Sequence, residues 1–245
     1  MPLRPVLLTI EALAPAAVRR FWAEALGPPD PLGLGVEVVS APGPRPAVKN
    51  RVHLDLATTS AAHQAELVAR LEDLGATPVD IGQGDVPWTV LADPEGNVLC
   101  VLEPREAYRD TGPIAAVVVD CADPRAMARF WDGALDWTLR EVADDHAVLR
   151  SAEEVGPYLE FFRTPDMKTV PDRVLLGLLC RPGDDQEAET ARLRALGATE
   201  LATDGTDGTD GTDGTDGTEI NADRATVTPM SDPEGHDFRV IAAGS

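Results

Sequence analysis

A chain of 245 residues with 43% hydrophobic and 26% charged residues is too long for one small domain and too apolar for wholesale disorder, so two cores of ordinary size are expected. Its 42 acidic against 21 basic residues leave a formal charge of -21 and a pI near 4.4, which excludes the Lys/Arg surplus that nucleic-acid binding or docking on an anionic membrane requires.

In chain order, the first segment to stand out is the helical run AVRRFWAEALG from Ala17, followed by the Pro/Gly-rich stretch PPDPLGLG and a strand GVEVVSA from Gly35. Next come Asn50-Arg51-Val52 at a strand start, a helix ending in RLEDLGAT from Arg70, and LADPEGN around Asp93. A charged, apolar-poor stretch from Pro104 to Thr111 forms a seam, placed at about residue 112. The strand AAVVVDCA then leads into the helix DPRAMARFWDGAL, whose Asp-Pro start and helical apolar spacing are clear. WTLREV, HAVLRS and PYLEFF alternate as strands, and RVLLGLLC from Arg173 opens another unit. The helix DQEAETARLRALGA stops at Gly197, and ATVTPM and FRVIAA form a hairpin across DPEGH.

This order repeats. AVRRFWAEALG returns as AMARFWDGALD at an offset of 109; Asn50-Arg51-Val52 and RLEDLGAT return at 122; and the DPEG of Asp93 returns at Asp232, an offset of 139. The second copy therefore follows the plan of the first with two insertions, and the first copy has PPDPLGLG in place of two strands. The later insertion contains TDG five times over, from Thr203 to Gly217. Gly and Asp bury too little apolar area to offset chain entropy, so a loop is expected there. Its three-residue period lacks the ligand spacing of an EF-hand or a nonapeptide calcium repeat.

Two βαβββ-type units per copy, with R-F-W in the first helix, [ND]-R-V opening the second unit and L-G-A-T before D-P-E-G, resemble the glyoxalase/bleomycin-resistance/dioxygenase (vicinal oxygen chelate) superfamily over nearly the whole chain. The resemblance implies an α+β fold of two tandem domains, residues 1–112 and 113–245, the second carrying the TDG loop at 203–217. Paired units would form cupped antiparallel sheets with the ligand site inside. Enzymes of the superfamily, among them glyoxalase I, extradiol dioxygenases and thiol transferases, hold a divalent metal with His, Glu or Gln side chains on the first and last strands of the paired units.

Carried over position by position, the first-strand ligand places fall on Leu7 and Ala116, which bind no metal. The remaining places fall on Glu37, His53 and Cys100 in copy one, and on Glu160, Leu175 and Arg239 in copy two. Copy two is then metal-free, with Glu160 and Arg239 as a buried or ligand-orienting pair. Copy one brings together Glu37, His53 and Cys100, the only set expected to hold a divalent ion. The ligand pocket is assigned to these residues together with Asp55, on the same strand face as His53, and Trp88 and Tyr158. Trp22 and Trp131 are assigned to the core.

The leading expectation is a metal-independent small-molecule-binding protein that sequesters an antibiotic or metabolite, its acidity favouring a cationic guest, with no cofactor. The alternative is a metal-dependent lyase, isomerase, extradiol dioxygenase or thiol transferase with its site in the first domain; metal-free acid/base chemistry by His53 and Asp55 lies between them. No G-x-S-x-G, P-loop, G-x-G-x-x-G or H-E-x-x-H motif occurs. Three scattered cysteines without CxxC spacing, no signal-peptide h-region and no span-length apolar run point to the cytoplasm. A monomer or a homodimer is expected.

Overall fold

The computed structural model describes residues 3–28, 33–44, 48–166, 168–202 and 226–243, so the TDG tract at 203–217 lies outside the described residues. Four units follow one another. The first holds β1 (Arg4–Ala12), α1 (Pro15–Leu26) and β2 (Gly35–Ser40); the second β3 (Val52–Leu56), α2 (Ala61–Asp73), β4 (Thr77–Pro78), β5 (Thr89–Ala92) and β6 (Val98–Val101). The third holds β7 (Ile114–Cys121), α3 (Pro124–Ala134), β8 (Trp137–Val142), β9 (His146–Ser151) and β10 (Tyr158–Arg163). The fourth holds β11 (Val174–Leu179), α4 (Gln186–Leu196), β12 (Thr199–Glu200), β13 (Val227–Ser231) and β14 (Asp237–Ile241). The architecture is α+β, as expected. No helix among the described residues is long and apolar enough to cross a membrane.

Local chemistry sets the helix ends. The Ser60 hydroxyl accepts from His63 N at 3.1 Å to start α2, and Asp123 accepts from Ala126 N at 3.0 Å, ahead of Pro124, to start α3. At the end of α4, Gly197 adopts φ 115°, a left-handed conformation that a side chain would strain.

The strands form two sheets, each pairing two units, and the paired units come from different repeats. One sheet runs β12-β13-β14-β11-β1-β2 and the other β4-β5-β6-β3-β7-β10-β9-β8. At their centres β1 pairs antiparallel with β11 (Thr9 opposite Leu175), and β3 pairs antiparallel with β7 (His53 opposite Val118). Unit one is thus completed by unit four, and unit two by unit three.

What joins the two units of one repeat is the helix layer. The Trp22 indole N–H donates to Asp93 Oδ2 at 3.1 Å, and Trp131 donates to Asp232 Oδ2 at 3.3 Å. The other oxygen of each Asp accepts two backbone N–H groups of its own turn. The next acid in each turn caps the helix of the neighbouring unit: Glu95 accepts from Leu13 N and Ala14 N, and Glu234 from Ala122 N and Asp123 N. The repeated R-F-W and D-P-E-G are therefore two halves of one structural lock.

Strand alternation sorts the faces. Leu8 and Ile10, Leu54 and Leu56, Val117 and Val119, and Leu176 and Leu178 join the helical Phe21, Trp22, Leu71, Phe130, Trp131 and Leu193 in one core shared by both sheets. The intervening residues face away from that core, into the two cups.

Candidate functional site

The strands pairing at the centre of the eight-stranded sheet decide which side chains meet in its cup. β3 turns His53 and Asp55 away from the core, and β6, parallel to it, sets Cys100 beside Asp55. Across β7, whose Ala116 and Val118 are too small to fill the space, β10 brings Tyr158 and Glu160 level with them. His53, Cys100 and Glu160 are all buried.

His53 Nε2 lies 3.6 Å from Asp55 Oδ1, and His53 Nδ1 and Asp55 Oδ1 have no hydrogen-bond partner. Burial holds His53 neutral, lowering its pKa to about 4 despite the nearby Asp120 charge, so this contact is not an ion pair at neutral pH. Burial, reinforced by the Glu160 charge, pushes Asp55 up to about 7. Burial also raises Glu160, although Tyr108 and Arg105 oppose it, and it keeps the Cys100 thiol protonated, hydrogen-bonded to Asp55. The cup floor is thus rich in hydrogen-bond acceptors, with two carboxyl groups whose ionisation burial opposes. Beside it a cleft of about 460 Å³ opens, lined by Tyr108, Arg140, Val148, Arg150, Tyr158 and Glu160 among others.

Among the described residues, His53, Asp55 and Cys100 each bring one ligand atom to within 4.8 Å of the others. This corrects the expected set of Glu37, His53 and Cys100. Glu37 stands on β2 in the six-stranded sheet, accepting from Thr9 Oγ1 at 2.8 Å and lying 3.5 Å from Arg239 Nη1. The expected Glu160–Arg239 pair is corrected for the same reason. Arg239, on β14, lies 3.8 Å from Glu11 and donates to Thr9 Oγ1 at 3.4 Å, while Glu160 belongs to the other sheet. Both expectations assume that sheets pair units within a repeat; exchange of partners swaps one acid between the cups. In the six-stranded sheet, Thr9 links Glu37 to Arg239 by hydrogen bonds, with Glu11 in ion-pair range of Arg239.

His53, Asp55, Cys100, Tyr158 and Glu160 come together, and Trp88 packs on the cup side against the cluster of Val90, Val98, Cys100 and Leu102. Sequence reasoning missed Arg105, Tyr108 and Arg150. The Tyr108 hydroxyl donates to Glu160 Oε1 at 3.1 Å, and Arg150 donates to Tyr158 Oη at 2.9 Å. The first two sit in the seam from Pro104 to Thr111, where their one signal is an aromatic, Tyr108, set between Arg105 and Arg109 in a short charged linker.

A search of curated proteins gives no match. Among solved structures, glyoxalase I from Zea mays is 14% identical with a TM-score of 0.61, covering 98% of this chain and 92% of that one. A candidate dioxygenase from Bacillus subtilis subsp. subtilis str. 168 is 13% identical with a TM-score of 0.62, covering 100% and 86%. At such identities these likenesses speak to the fold alone. The family model of the glyoxalase-like domain matches twice, over residues 7–102 and 116–241. With the two matches spanning nearly all of its length, the chain belongs to the glyoxalase-like domain family.

Proposed function

We propose that this protein binds a small molecule in the cup of the eight-stranded sheet through hydrogen bonds to His53, Asp55 and Glu160, with no metal required. The observation that carries this reading is the pair of unpartnered atoms, His53 Nδ1 and Asp55 Oδ1, beside an open cleft. Buried polar atoms without partners are costly; a ligand bearing N–H or O–H donors removes that cost. The corresponding floor of the other cup is closed by Thr9, Glu37 and Arg239 bonding to each other, so one cup per chain is expected to bind.

The test is a calorimetric screen of amine- and amide-bearing natural products against the wild-type chain and Asp55→Asn. Losing one such buried contact should weaken binding by about 10- to 100-fold. Hits that bind the variant equally well would overturn the reading.

The ligand-atom cluster favours a second reading, a metal-dependent lyase, isomerase, dioxygenase or thiol transferase. A thiol, an imidazole and a carboxyl fit a borderline-soft divalent ion such as zinc, which His53, Asp55 and Cys100 would hold. Such an ion supplies Lewis acidity. Glu160, raised by burial and held by Tyr108, would then carry protons to and from the substrate. Metal content by mass spectrometry on tag-free protein and on His53→Ala separates the two readings. A stoichiometric metal lost in the variant would sink metal-free binding; no metal in either protein would remove the metal-dependent reading.

A further inference from the structure

Residues 103–112, which connect the repeats, add no strand to either sheet. Both ends of this segment are pinned at one point, the end of β3: Leu102 N donates to Leu56 O at 3.0 Å, and Ala57 N donates to Pro113 O at 2.9 Å. Next to the second pin, Gly112 takes φ 75°, a conformation suited to a pivot. Its adjacent ends make the segment an Ω-type loop, joined to the sheet at one place.

The segment lies across the cup. Tyr108 sets its ring edge-on to Tyr158, with centroids 5.6 Å apart, and bonds Glu160. The Tyr158 hydroxyl donates to Ala107 O at 3.2 Å, and Arg150 donates to Asp110 O at 3.2 Å. Arg105, oriented by two hydrogen bonds to Glu103 at 2.7 and 3.2 Å, places its guanidinium 5.6 Å from the Trp88 ring centre and 5.7 Å from that of Tyr108, and its charge lowers the pKa values of both Asp55 and Glu160, partly offset at Asp55 by Glu103. Tyr108 and Trp88 also pack on a small apolar cluster separate from the main core.

We propose that this linker is a strap that closes the cup with its own cation, and that the place it fills, between Trp88 and Tyr158 and next to Asp55 and Glu160, is a subsite for an organic cation. The proposal rests on the reading above that this cup binds a small molecule. Lifting the strap removes Arg105 and Tyr108 together. It leaves the Trp88 face, the carboxyl groups of Asp55 and Glu160 and an uncovered Cys100, while the Tyr158 ring keeps the Arg150 guanidinium 4.4 Å from its centre. A guanidinium or quaternary ammonium group restores what Arg105 supplied, namely charge for the acids and a partner for the Trp88 ring face. A neutral or anionic ligand restores neither, so the strap selects as well as shuts.

The three cysteines are all buried, and Cys121 and Cys180 lie away from the strap, so alkylation tests the proposal in the intact chain. N-ethylmaleimide labelling is followed at each cysteine by peptide mass spectrometry in the wild type, Arg105→Gln and Tyr108→Ala. Cys100 should label at least about tenfold faster in the variants, with Cys121 and Cys180 unchanged, as expected for local opening. No change at Cys100, or equal acceleration at all three, overturns the strap. In Tyr108→Ala, tetramethylammonium chloride should slow Cys100 labelling several-fold relative to sodium chloride at equal ionic strength. Equal labelling in the two salts overturns the cation subsite; small-molecule binding itself is judged separately, by the Asp55→Asn comparison.

Discussion

Burial shifts Asp55 and His53 in opposite directions, with a measurable effect on stability. Asp55 is raised to about 7 from an ordinary 3.8, so between those values the folded chain keeps a proton that the unfolded chain releases, and stability falls as pH rises. His53 is lowered to about 4 from 6.5, so over that window the unfolded chain holds the extra proton and stability rises with pH. The two slopes largely cancel between about pH 4 and 6.5. Asp55→Asn removes the first: the variant should be more stable than wild type at pH 7.5, by up to about 4 kcal/mol, with the gap closing towards pH 4. Urea unfolding at both pH values checks this, and a variant less stable at pH 7.5 would refute it. A residue that costs stability in the closed protein is one kept for another purpose. His53 and Asp55 were legible as a pair because strand alternation puts them on one face; Glu160 as their neighbour was not, since it arrives on β10 across β7, with Val118 opposite both His53 and Glu160, 107 residues along the chain from His53.

At the level of elements, the lock between helix and turn is the feature both repeats keep. Removing one helix cap, by Glu234→Ala, should cost about 1 kcal/mol, and Glu95→Ala a similar amount, because each leaves two backbone donors at a helix start without their carboxylate. Thermal melts of the single and double variants check this, and near-additive losses are expected because the caps sit in different repeats. The lock has diverged at one place. Asn50 bonds Asn97 in repeat one, whereas Asp172 lies 3.5 Å from His236 in repeat two. Burial lowers the His236 pKa, but the Asp172 hydrogen bond and the Asp232 charge outweigh it and the net shift is upward, so this contribution is present in acid and lost as pH rises through the folded value. The helices were legible because Asp-Pro, Ser and Gly punctuate them. The tryptophans were legible as core, but their indole partners were not, since a bond from Trp22 to Asp93 spans 71 residues.

For the whole molecule, the repeat was plain in the sequence, yet nothing local says whether a unit pairs with its neighbour in the same copy or with one in the other. Interface strands β1, β3, β7 and β11 are similarly apolar, and the choice rests on how the linkers and locks hold the units. Each sheet is completed within one chain. Residues 1–112 or 113–245 alone would expose the central edges of two half-sheets, so each should be oligomeric or insoluble by size-exclusion chromatography with light scattering, and co-expression should restore a soluble pair. A well-folded monomeric half would refute the exchanged pairing. Because every cup takes one wall from each repeat, the pockets are not copies of each other even though the repeats are: each is a heterodimer in miniature, and a change confined to either copy alters both. One pocket has its polar Thr9, Glu37 and Arg239 turned on one another, while the other, beneath its strap, keeps two polar atoms without partners.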